Sequence, residues 1–248
     1  MMATKLPVKI SIIVPAFNEE KLINRSLANL QTAAAAFGAA GWEHEIIVCD
    51  NNSTDQTAAL ARAAGATVIF EPVNQISRAR NRGASIATGD WLLFVDADSY
   101  PSAELFGEVV RAVNTGRYVA GGSLVRLETD SWVTHALTQV WHLLSLTRHW
   151  AAGSFIFCDA AAFRAIGGFS QEFFAGEEID LSKRLGEYGR RSGRRLTILR
   201  RHPLLTSARK LKLYTPREHL RMVGRAIFRS RTALRDREQC TLWYDGRR

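Results

Sequence analysis

The chain has 248 residues, 46% of them hydrophobic and 23% charged, with a formal net charge of +9. These proportions are typical of a globular chain with one sizeable core, and they exclude a disordered or fibrous protein. The three cysteines, Cys49, Cys158 and Cys240, are odd in number and far apart, so they predict neither a disulfide framework nor a zinc site and favour a reducing, cytoplasmic environment.

The first hundred residues alternate between short β-branched strands and amphipathic helices. Strands are predicted over residues 10–15, 45–49, 67–70 and 91–95, and helices over residues 20–37, 55–64 and 78–88. Strands and helices that alternate at this spacing indicate βαβ units and a parallel sheet. Three polar clusters, at residues 15–20, 50–55 and 96–98, follow strands of this sheet. Because ligands bind at the carboxyl ends of parallel strands, the clusters predict one site.

The second half of the chain has a less regular pattern. Strands are predicted over residues 118–127 and 154–158, and helices over residues 178–188 and 216–235. Apolar side chains recur at helical spacing over residues 132–146, which is typical of an amphipathic helix. No linker marks a second domain. We therefore expect one domain over residues 1–212 and a basic helical C-terminal extension, residues 213–248, packed on it.

Asp96 and Asp98 form the sharpest local signal in the sequence. They are separated by one small residue and directly follow a buried strand. Two such carboxylates can share a hard cation such as Mg²⁺, which takes oxygen ligands and completes its shell with substrate phosphates. The alternative is a solvated turn, where Asp is common. The two other polar clusters at the same sheet edge favour the metal site.

The polar residues after the first two strands allow two compatible interpretations. Asn18 can cap the following helix with acids in its first turn, or the same loop can hold a nucleoside, with Glu19 accepting hydrogen bonds from the ribose or base. Asp50 and Ser53 can likewise cap a helix, while Asp50 can also accept from the imino group of a base.

A cluster of two arginines and one asparagine lies on the predicted helix that precedes the paired aspartates. Its members are Arg78, Arg80 and Asn81. They form either a solvated surface cluster or a set of contacts to the substrate of this site.

The motifs, taken in chain order, resemble those of the family 2 glycosyltransferases. The matching segments are Ile-Val-Pro-Ala-Phe-Asn-Glu-Glu, Cys-Asp-Asn-Asn-Ser-Thr-Asp, Ala-Arg-Asn-Arg-Gly, Gly-Asp-Trp-Leu-Leu-Phe-Val-Asp-Ala-Asp, Gly-Gly-Phe and Gly-Glu-Glu-Ile-Asp-Leu, within residues 8–190. The resemblance implies an α/β protein of the GT-A type, with a Rossmann-like, mostly parallel sheet and helices on both faces. It also implies an inverting sugar transfer that depends on Mg²⁺ or Mn²⁺.

The resemblance assigns roles to individual residues. Asp96 and Asp98 match the Asp-x-Asp motif of the family, in which the second aspartate is the firmest metal ligand. Asp50 matches its base-binding aspartate. With the loop and helix residues considered above, the predicted nucleotide-sugar-binding set is Pro15, Ala16, Asn18, Glu19, Asp50, Ser53, Arg78, Arg80, Asn81, Asp96 and Arg209.

The catalytic base falls in the segment Glu177-Glu178-Ile179-Asp180-Leu181. The family usually shows Glu-Asp, a spacer and Asp-Leu at the start of a helix, with the first Asp as base. Here Glu178 stands where that Asp is usual, and its carboxylate reaches one methylene further. The choice between Glu177 and Glu178 therefore stays open, and the alternative to catalysis is that both acids simply cap the helix.

The basic segment at residues 200–212 follows the acidic motif, and some relatives have a similar segment that closes over the diphosphate. Arg209 and Lys210 have the right chemistry to neutralise leaving-group charge. His202 could be a further metal ligand, although a lone histidine is more often structural or exposed.

The charge of the chain is concentrated in its last quarter. Residues 1–180 carry 13 Lys and Arg against 19 Asp and Glu, whereas residues 181–248 carry 20 against 5. A tail this basic is either a solvated helical surface or a contact surface for phosphate, in a nucleotide or in anionic lipid. The stripe with Trp132, Trp141 and nearby Trp150 could lie in a headgroup layer at the inner face of the membrane, or pack in the core or a homodimer interface.

No secretion signal or membrane span is expected. The N-terminal apolar run is short and interrupted by Pro15, and the longest stretch without Asp, Glu, Lys or Arg, residues 131–147, is too polar and short to cross a bilayer.

Three other classes of protein fit the sequence less well. A sugar-phosphate nucleotidyltransferase would open with a Gly-rich loop bearing Arg and Lys, and a dinucleotide oxidoreductase would show GxGxxG after the first strand. A non-enzymatic nucleic-acid-binding protein would need a reading motif that is not visible, so no nucleic acid partner is expected. The expected partners are a nucleotide-diphosphate-sugar donor and an acceptor hydroxyl, for which a lipid-linked or cell-envelope glycan precursor is one candidate.

Overall fold

The computed structural model describes residues 8–129, 138–139, 142–143, 145–148, 150–151 and 153–209. The strands in these ranges are β1 (Lys9–Ala16), β2 (Glu43–Asp50), β3 (Thr67–Phe70), β4 (Trp91–Val95), β5 (Ser99–Tyr100), β6 (Tyr118–Glu128), β7 (Phe155–Asp159) and β8 (Arg195–Ser207). The helices are α1 (Ile23–Ala39), α2 (Thr57–Ala63), α3 (Ile76–Ile86), α4 (Ala103–Asn114), α5 (Ala160–Ala165) and α6 (Glu177–Arg191).

The strands form one mixed sheet with the order β3-β2-β1-β4-β7-β6-β8-β5. β1 lies between β2 and β4 and is parallel to both, and β3 is parallel to β2. β7 runs antiparallel between β4 and β6, while β8 is parallel to β6 and antiparallel to β5. The expected Rossmann-like parallel sheet is therefore confirmed for β1 to β4, and the antiparallel pairs belong to the second half.

Alternate side chains of β1 enter two separate parts of the core. Ile10, Ile12 and Val14 join a cluster that includes side chains of α1 and α4, whereas Ile13 joins a second cluster with side chains of α3, α5 and α6. All four are fully buried, and burial of such a side chain contributes about 1.5–3 kcal/mol. Helices therefore cover both faces of the sheet, as expected.

The structure contains elements that the sequence pattern does not reveal. β5, α4 and α5 were not predicted, and β8 runs straight through the basic segment and Pro203. The pairing of β8 with β6 slips between Leu199 and Leu204, opposite Ser123 and Val125, and Pro203 falls in this irregular stretch. Proline is tolerated there because no regular ladder hydrogen bond is required of it.

The predicted amphipathic helix is described only in part, and the C-terminal extension lies outside the described residues. Residues 138–139, 142–143 and 145–148 are helical. The ring Nε2 of His142 lies 2.8 Å from the carbonyl oxygen of Val125, so the helix contacts β6 at this point. No helix within the described ranges is long and apolar enough to cross a membrane.

Candidate active site

The loops that follow β1 and β2 are tied together by hydrogen bonds. Pro15 and Ala16 end β1, buried beside the end of β2, and the Asn51 N–H donates to the Ala16 carbonyl at 2.8 Å. Asn18 has a φ of 52°, its N–H donates to Ser53 Oγ at 3.0 Å, and its Oδ1 accepts from the Thr54 N–H at 2.8 Å. Two of the three predicted clusters therefore form one wall.

This geometry corrects the interpretation of Asn18 as a helix cap. Leu22 occupies the N-cap position of α1 and makes no side-chain capping bond. The Asn18 side chain instead joins the two loops, because its Oδ1 accepts a hydrogen bond from the Thr54 N–H.

Asp50 and an acid that the sequence analysis missed lie at the ends of neighbouring strands. Asp50 is 6% exposed, and its Oδ1 accepts from the Ser53 N–H at 3.1 Å. Glu71 directly follows β3, is also 6% exposed, and accepts from Arg78 Nε at 3.1 Å. Arg78 also donates to Gln171 Oε1 at 3.0 Å. The position of Glu71 immediately after a strand is the signal that could have identified it.

Glu19 and Arg209 join the first loop to the end of β8. Two bonds from Arg209 Nη2 reach Glu19 Oε1 at 2.8 Å and Oε2 at 2.6 Å, and Glu19 is buried. The structure thus brings the basic segment to the predicted nucleoside loop across 190 residues of sequence. Charge-assisted bonds of this kind are stronger than neutral ones, so the contact fixes the edge of the site.

Arg80 is the central residue of the candidate site. It is 1% exposed, and its Nη1 donates to Glu177 Oε1 at 2.7 Å. Its Nη2 donates to Asp96 Oδ1 at 2.9 Å and to the Gly153 carbonyl at 2.8 Å. One buried guanidinium therefore joins the paired aspartates to the start of α6.

Asn81, the neighbour of Arg80, holds the loop that carries Gly-Gly-Phe. Its Nδ2 donates to the Phe169 carbonyl at 2.8 Å, and its Oδ1 accepts from the Phe169 N–H at 2.9 Å. Gly168 has a φ of +70°, and a Cβ there would lie 2.6 Å from Asn81 Oδ1. This position therefore requires glycine. The ring of Phe169 then lies under Arg80, 5.2 Å from its guanidinium carbon.

Asp98 and Asp96 fit a divalent metal by their chemistry. Asp98 is 6% exposed, and no donor among the described residues is hydrogen-bonded to its carboxylate. A buried carboxylate without a partner is costly, and a hard cation would satisfy it. Asp96 is partly exposed and gives one oxygen to Arg80. The two aspartates thus leave carboxylate oxygens available at the sheet edge.

His202 does not join these aspartates. Its ring Nδ1 lies 2.7 Å from Glu108 Oε1 on α4, and its N–H donates to the same oxygen at 3.0 Å. In the described ranges, no group of three or more His, Cys, Asp or Glu side chains could hold a metal ion. The predicted ligand set of Asp96, Asp98 and His202 is therefore not assembled.

Glu177 and Glu178 begin α6 and differ sharply in environment. Glu177 is 4% exposed and is paired with Arg80. Glu178 is half-buried and lies against the backbone at Gly153, where an added Cβ would be 3.5 Å from its Cδ. Desolvation, together with the charge of Glu177, raises the pKa of Glu178 from 4.5 to about 8. The two acids are thus a fixed ion-pair partner and a carboxyl that titrates near neutrality.

A curled α/β sheet with acidic loops at the ends of β1, β2 and β4 is the GT-A type of glycosyltransferase fold. The chain belongs to the glycosyl transferase family 2, whose family model matches residues 11–178.

Similarities to individual proteins agree with this assignment. An uncharacterized glycosyltransferase of Rickettsia typhi is 33% identical over 115 residues, which span 45% of this chain and 36% of the relative. The mannosyltransferase PcManGT from Pyrobaculum calidifontis, solved with GDP-Man and Mn²⁺, superposes with a TM-score of 0.68 at 19% identity, covering 89% of this chain and 61% of that one. Glucosyl-3-phosphoglycerate synthase from Mycobacterium tuberculosis, solved with Mn²⁺, UDP and phosphoglyceric acid, superposes with a TM-score of 0.61 at 20% identity. The superposition covers 89% of this chain and 76% of that one. The chain spans about a third of the length of the first relative, and the two structures support the fold.

Proposed function

We propose that the chain transfers a sugar from a nucleotide-diphosphate-sugar to an acceptor hydroxyl, with inversion at the anomeric carbon and with Mg²⁺ or Mn²⁺. The observation that carries this proposal is the position of Arg80. Its guanidinium bonds to Asp96 on one side and to Glu177, next to Glu178, on the other. The acids suited to the diphosphate and the acid suited to the acceptor therefore belong to one site. The solved relatives, which bind GDP-Man or UDP with Mn²⁺, support the same chemistry.

Asp98 and Asp96 are the residues proposed to hold the metal. A bound divalent cation would neutralise charge on the departing diphosphate. Arg80 keeps Asp96 in position through a bond of 2.9 Å, while the Asp98 backbone is fixed to β8 because its carbonyl accepts from the Ser207 N–H at 2.9 Å. Both carboxylates are therefore supported by rigid elements, as precise ligand geometry requires.

Glu178 is the proposed general base. Glu177 already forms an ion pair with Arg80. We therefore assign removal of the proton from the acceptor hydroxyl to Glu178, which is not hydrogen-bonded to Arg80. As the hydroxyl oxygen forms its bond to the anomeric carbon, the bond from that carbon to the diphosphate oxygen breaks, and the hydroxyl proton passes to Glu178. Burial raises the pKa of Glu178 to about 8, which makes the ionised form an effective proton acceptor near neutral pH.

The nucleoside is proposed to bind along the wall formed by the loops after β1 and β2. Asp50 supplies a buried acceptor there, and Glu19, in the loop after β1, is held by Arg209. Arg78 contributes a cation on the same side, anchored by Glu71. Specificity for the base would then come from Asp50, because a buried carboxylate rejects a base that cannot donate to it.

A donor-hydrolysis screen tests this function. The purified chain is incubated with UDP-, GDP- and dTDP-sugars in the presence of Mn²⁺, and release of the nucleoside diphosphate is measured. The same reactions are repeated with EDTA in place of Mn²⁺. We expect turnover of at least one donor that is lost in EDTA. Absence of turnover for every donor, with acceptor extracts present, would contradict the proposal.

A further inference from the structure

A basic cavity lies beside α6, outside the site described above. Its volume is about 410 Å³, within the range of small-molecule sites. Four cationic side chains line it, against a single acid, Glu187. The cations are Arg148, Lys183, Arg190 and Arg195.

Among the described residues, these four cations form no ion pairs with acids. Within the part of the chain that the structure describes, no carboxylate lies within 4.0 Å of any of them, whereas nearby Arg184 and Arg194 are each paired with an aspartate. A cleft lined by charge of one sign focuses its field and attracts a counter-ion of the opposite sign. The cavity therefore has the electrostatics of an anion site.

Trp150 organises part of the basic wall. The Lys183 Nζ lies 5.5 Å from its ring centroid and the Arg148 guanidinium carbon lies 5.8 Å away. Both distances fall within the range of cation–π attraction, which holds the two cations near the same surface. A flat apolar ring beside two cations suits a ligand that joins a phosphate to a ring or chain of carbon atoms.

The cavity and the proposed base lie along the same helix, α6. The Ala151 N–H donates to Ser182 Oγ at 3.3 Å, and Ser182 lines the cavity one helical turn after Glu178. Gly153, two residues after Ala151 in sequence, lies against Glu178. Since a helix rises about 1.5 Å per residue, the cavity begins about 6 Å along α6 from the base.

Close packing fixes Ala151 on the sheet. A Cβ at Gly122 on β6 would lie 2.7 Å from the Cβ of Ala151, so glycine permits the approach. Ala151 is 1% exposed. Ala151, whose N–H is bonded to Ser182 of the cavity wall, is thus held against β6.

We propose that this cavity binds the phosphate group of a phosphate-bearing acceptor, whose hydroxyl reaches Glu178. This assignment of the acceptor class rests on the proposed function, while binding of phosphate by the cavity does not. The phosphate can belong to a soluble phosphomonoester or to a lipid headgroup, since the cations recognise the same chemistry in both.

Phosphate binding is tested without donor or metal by fluorine NMR of the full chain labelled with 5-fluorotryptophan. The chain has six Trp, and Trp150→Phe assigns the relevant signal. The titrants are glycerol 3-phosphate, sodium chloride at matched ionic strength, and phosphatidylcholine vesicles with and without phosphatidic acid. A Trp150 response to glycerol 3-phosphate supports a soluble ligand, and a response only to phosphatidic acid vesicles supports a lipid headgroup. If the Trp150 signal changes only with ionic strength, equally for sodium chloride and for every phosphate-bearing titrant, the proposal is overturned.

Matched variants separate the cavity from general charge. Lys183→Gln/Arg195→Gln should weaken binding by about tenfold or more, because charge-assisted bonds to phosphate are lost. Arg62→Gln/Arg111→Gln removes the same charge from the exposed surfaces of α2 and α4 and should bind as the wild type does. Equal binding by both double variants would overturn the assignment, and circular dichroism verifies that both fold.

The acceptor assignment has its own readout. With the donor that the hydrolysis screen identifies, sugar phosphates and their dephosphorylated counterparts are compared as acceptors by mass spectrometry. We expect more product from the phosphorylated member of each pair. Equal transfer to both members would refute the acceptor assignment even if the cavity binds phosphate. Failure of every donor in the screen would contradict the proposed function alone.

Discussion

Arg80 Nη1 lies 2.7 Å from Glu177 Oε1, and these two side chains are 1% and 5% exposed. The pair joins residues that are 97 positions apart in sequence, on α3 and at the first residue of α6. It keeps Glu177 engaged and leaves Glu178 as the carboxyl with the shifted pKa. The proposed division of roles between the two adjacent glutamates therefore depends on an arginine from another part of the chain.

Removal of Arg80 should destabilise the protein strongly. Arg80→Met leaves Glu177 and Asp96 without their cation, and loss of one partner of a buried ion pair costs about 3–5 kcal/mol. Urea unfolding measures the change. Arg25→Met is the control, because its ion pair with Glu128 is about half exposed and should contribute about 1 kcal/mol or less. Adding Glu177→Gln to Arg80→Met should recover part of the loss; no recovery would show that the unpaired charge is not its cause.

Substitution of the two glutamates should separate their roles in turnover. Glu178→Gln should lower the rate by about 10²–10⁴-fold, the usual contribution of a positioned base, with donor affinity nearly unchanged. Glu177→Gln should act through Arg80 and alter both stability and turnover. Steady-state rates and calorimetric donor binding measure these effects. If Glu178→Gln is mild and Glu177→Gln causes the large loss at unchanged stability, Glu177 is the base.

The pH dependence of stability should report the carboxyl of Glu178. Its pKa is raised from 4.5 to about 8, so the folded chain holds a proton that the unfolded chain releases between these values. The resulting stabilisation is fully present below pH 4.5 and is lost as the pH rises through about 8. Urea unfolding of wild type and Glu178→Gln at several pH values measures the difference. The advantage of the wild type should shrink with rising pH, and a constant difference would contradict the shift.

The basic tail should bring the chain to anionic membranes. Residues 181–248 carry 20 Lys and Arg against 5 acids, and each basic residue near an anionic surface contributes about 1 kcal/mol. Co-sedimentation with vesicles should show binding that requires anionic lipid and decreases with salt. A variant with Arg217, Arg221 and Arg225 changed to Gln should bind more weakly than one with Arg62, Arg82 and Arg111 changed. Absence of binding at low salt would leave the tail as a solvated surface.

The parallel half of the sheet could be predicted because its signals are local. β-branched runs, the proline near the end of the first strand and the polar residues at strand ends all act over a few positions. They located β3 and β4 at their observed bounds and β1 and β2 within two residues. The polar clusters then met at one edge because parallel strands end on the same side.

The remaining parts depend on contacts that no local pattern encodes. β8 contains two adjacent arginines and Pro203, and it is a strand only because β6 and β5 pair with it. His202 resembled a metal ligand by type, yet its position on β8 places it beside Glu108. The link from Arg80 to Glu177 is likewise a product of tertiary structure.

The dependence of turnover on Asp98 tests the central claim most directly. With the donor identified by the hydrolysis screen, nucleotide release is measured for wild type and Asp98→Ala in Mn²⁺ and in EDTA, with Glu43→Ala as an exposed control. We predict that wild type and Glu43→Ala turn over only with metal, and that Asp98→Ala is folded and inactive in both conditions. Full activity of the wild type in EDTA, or of Asp98→Ala in Mn²⁺, would contradict a metal-dependent sugar transfer at this site.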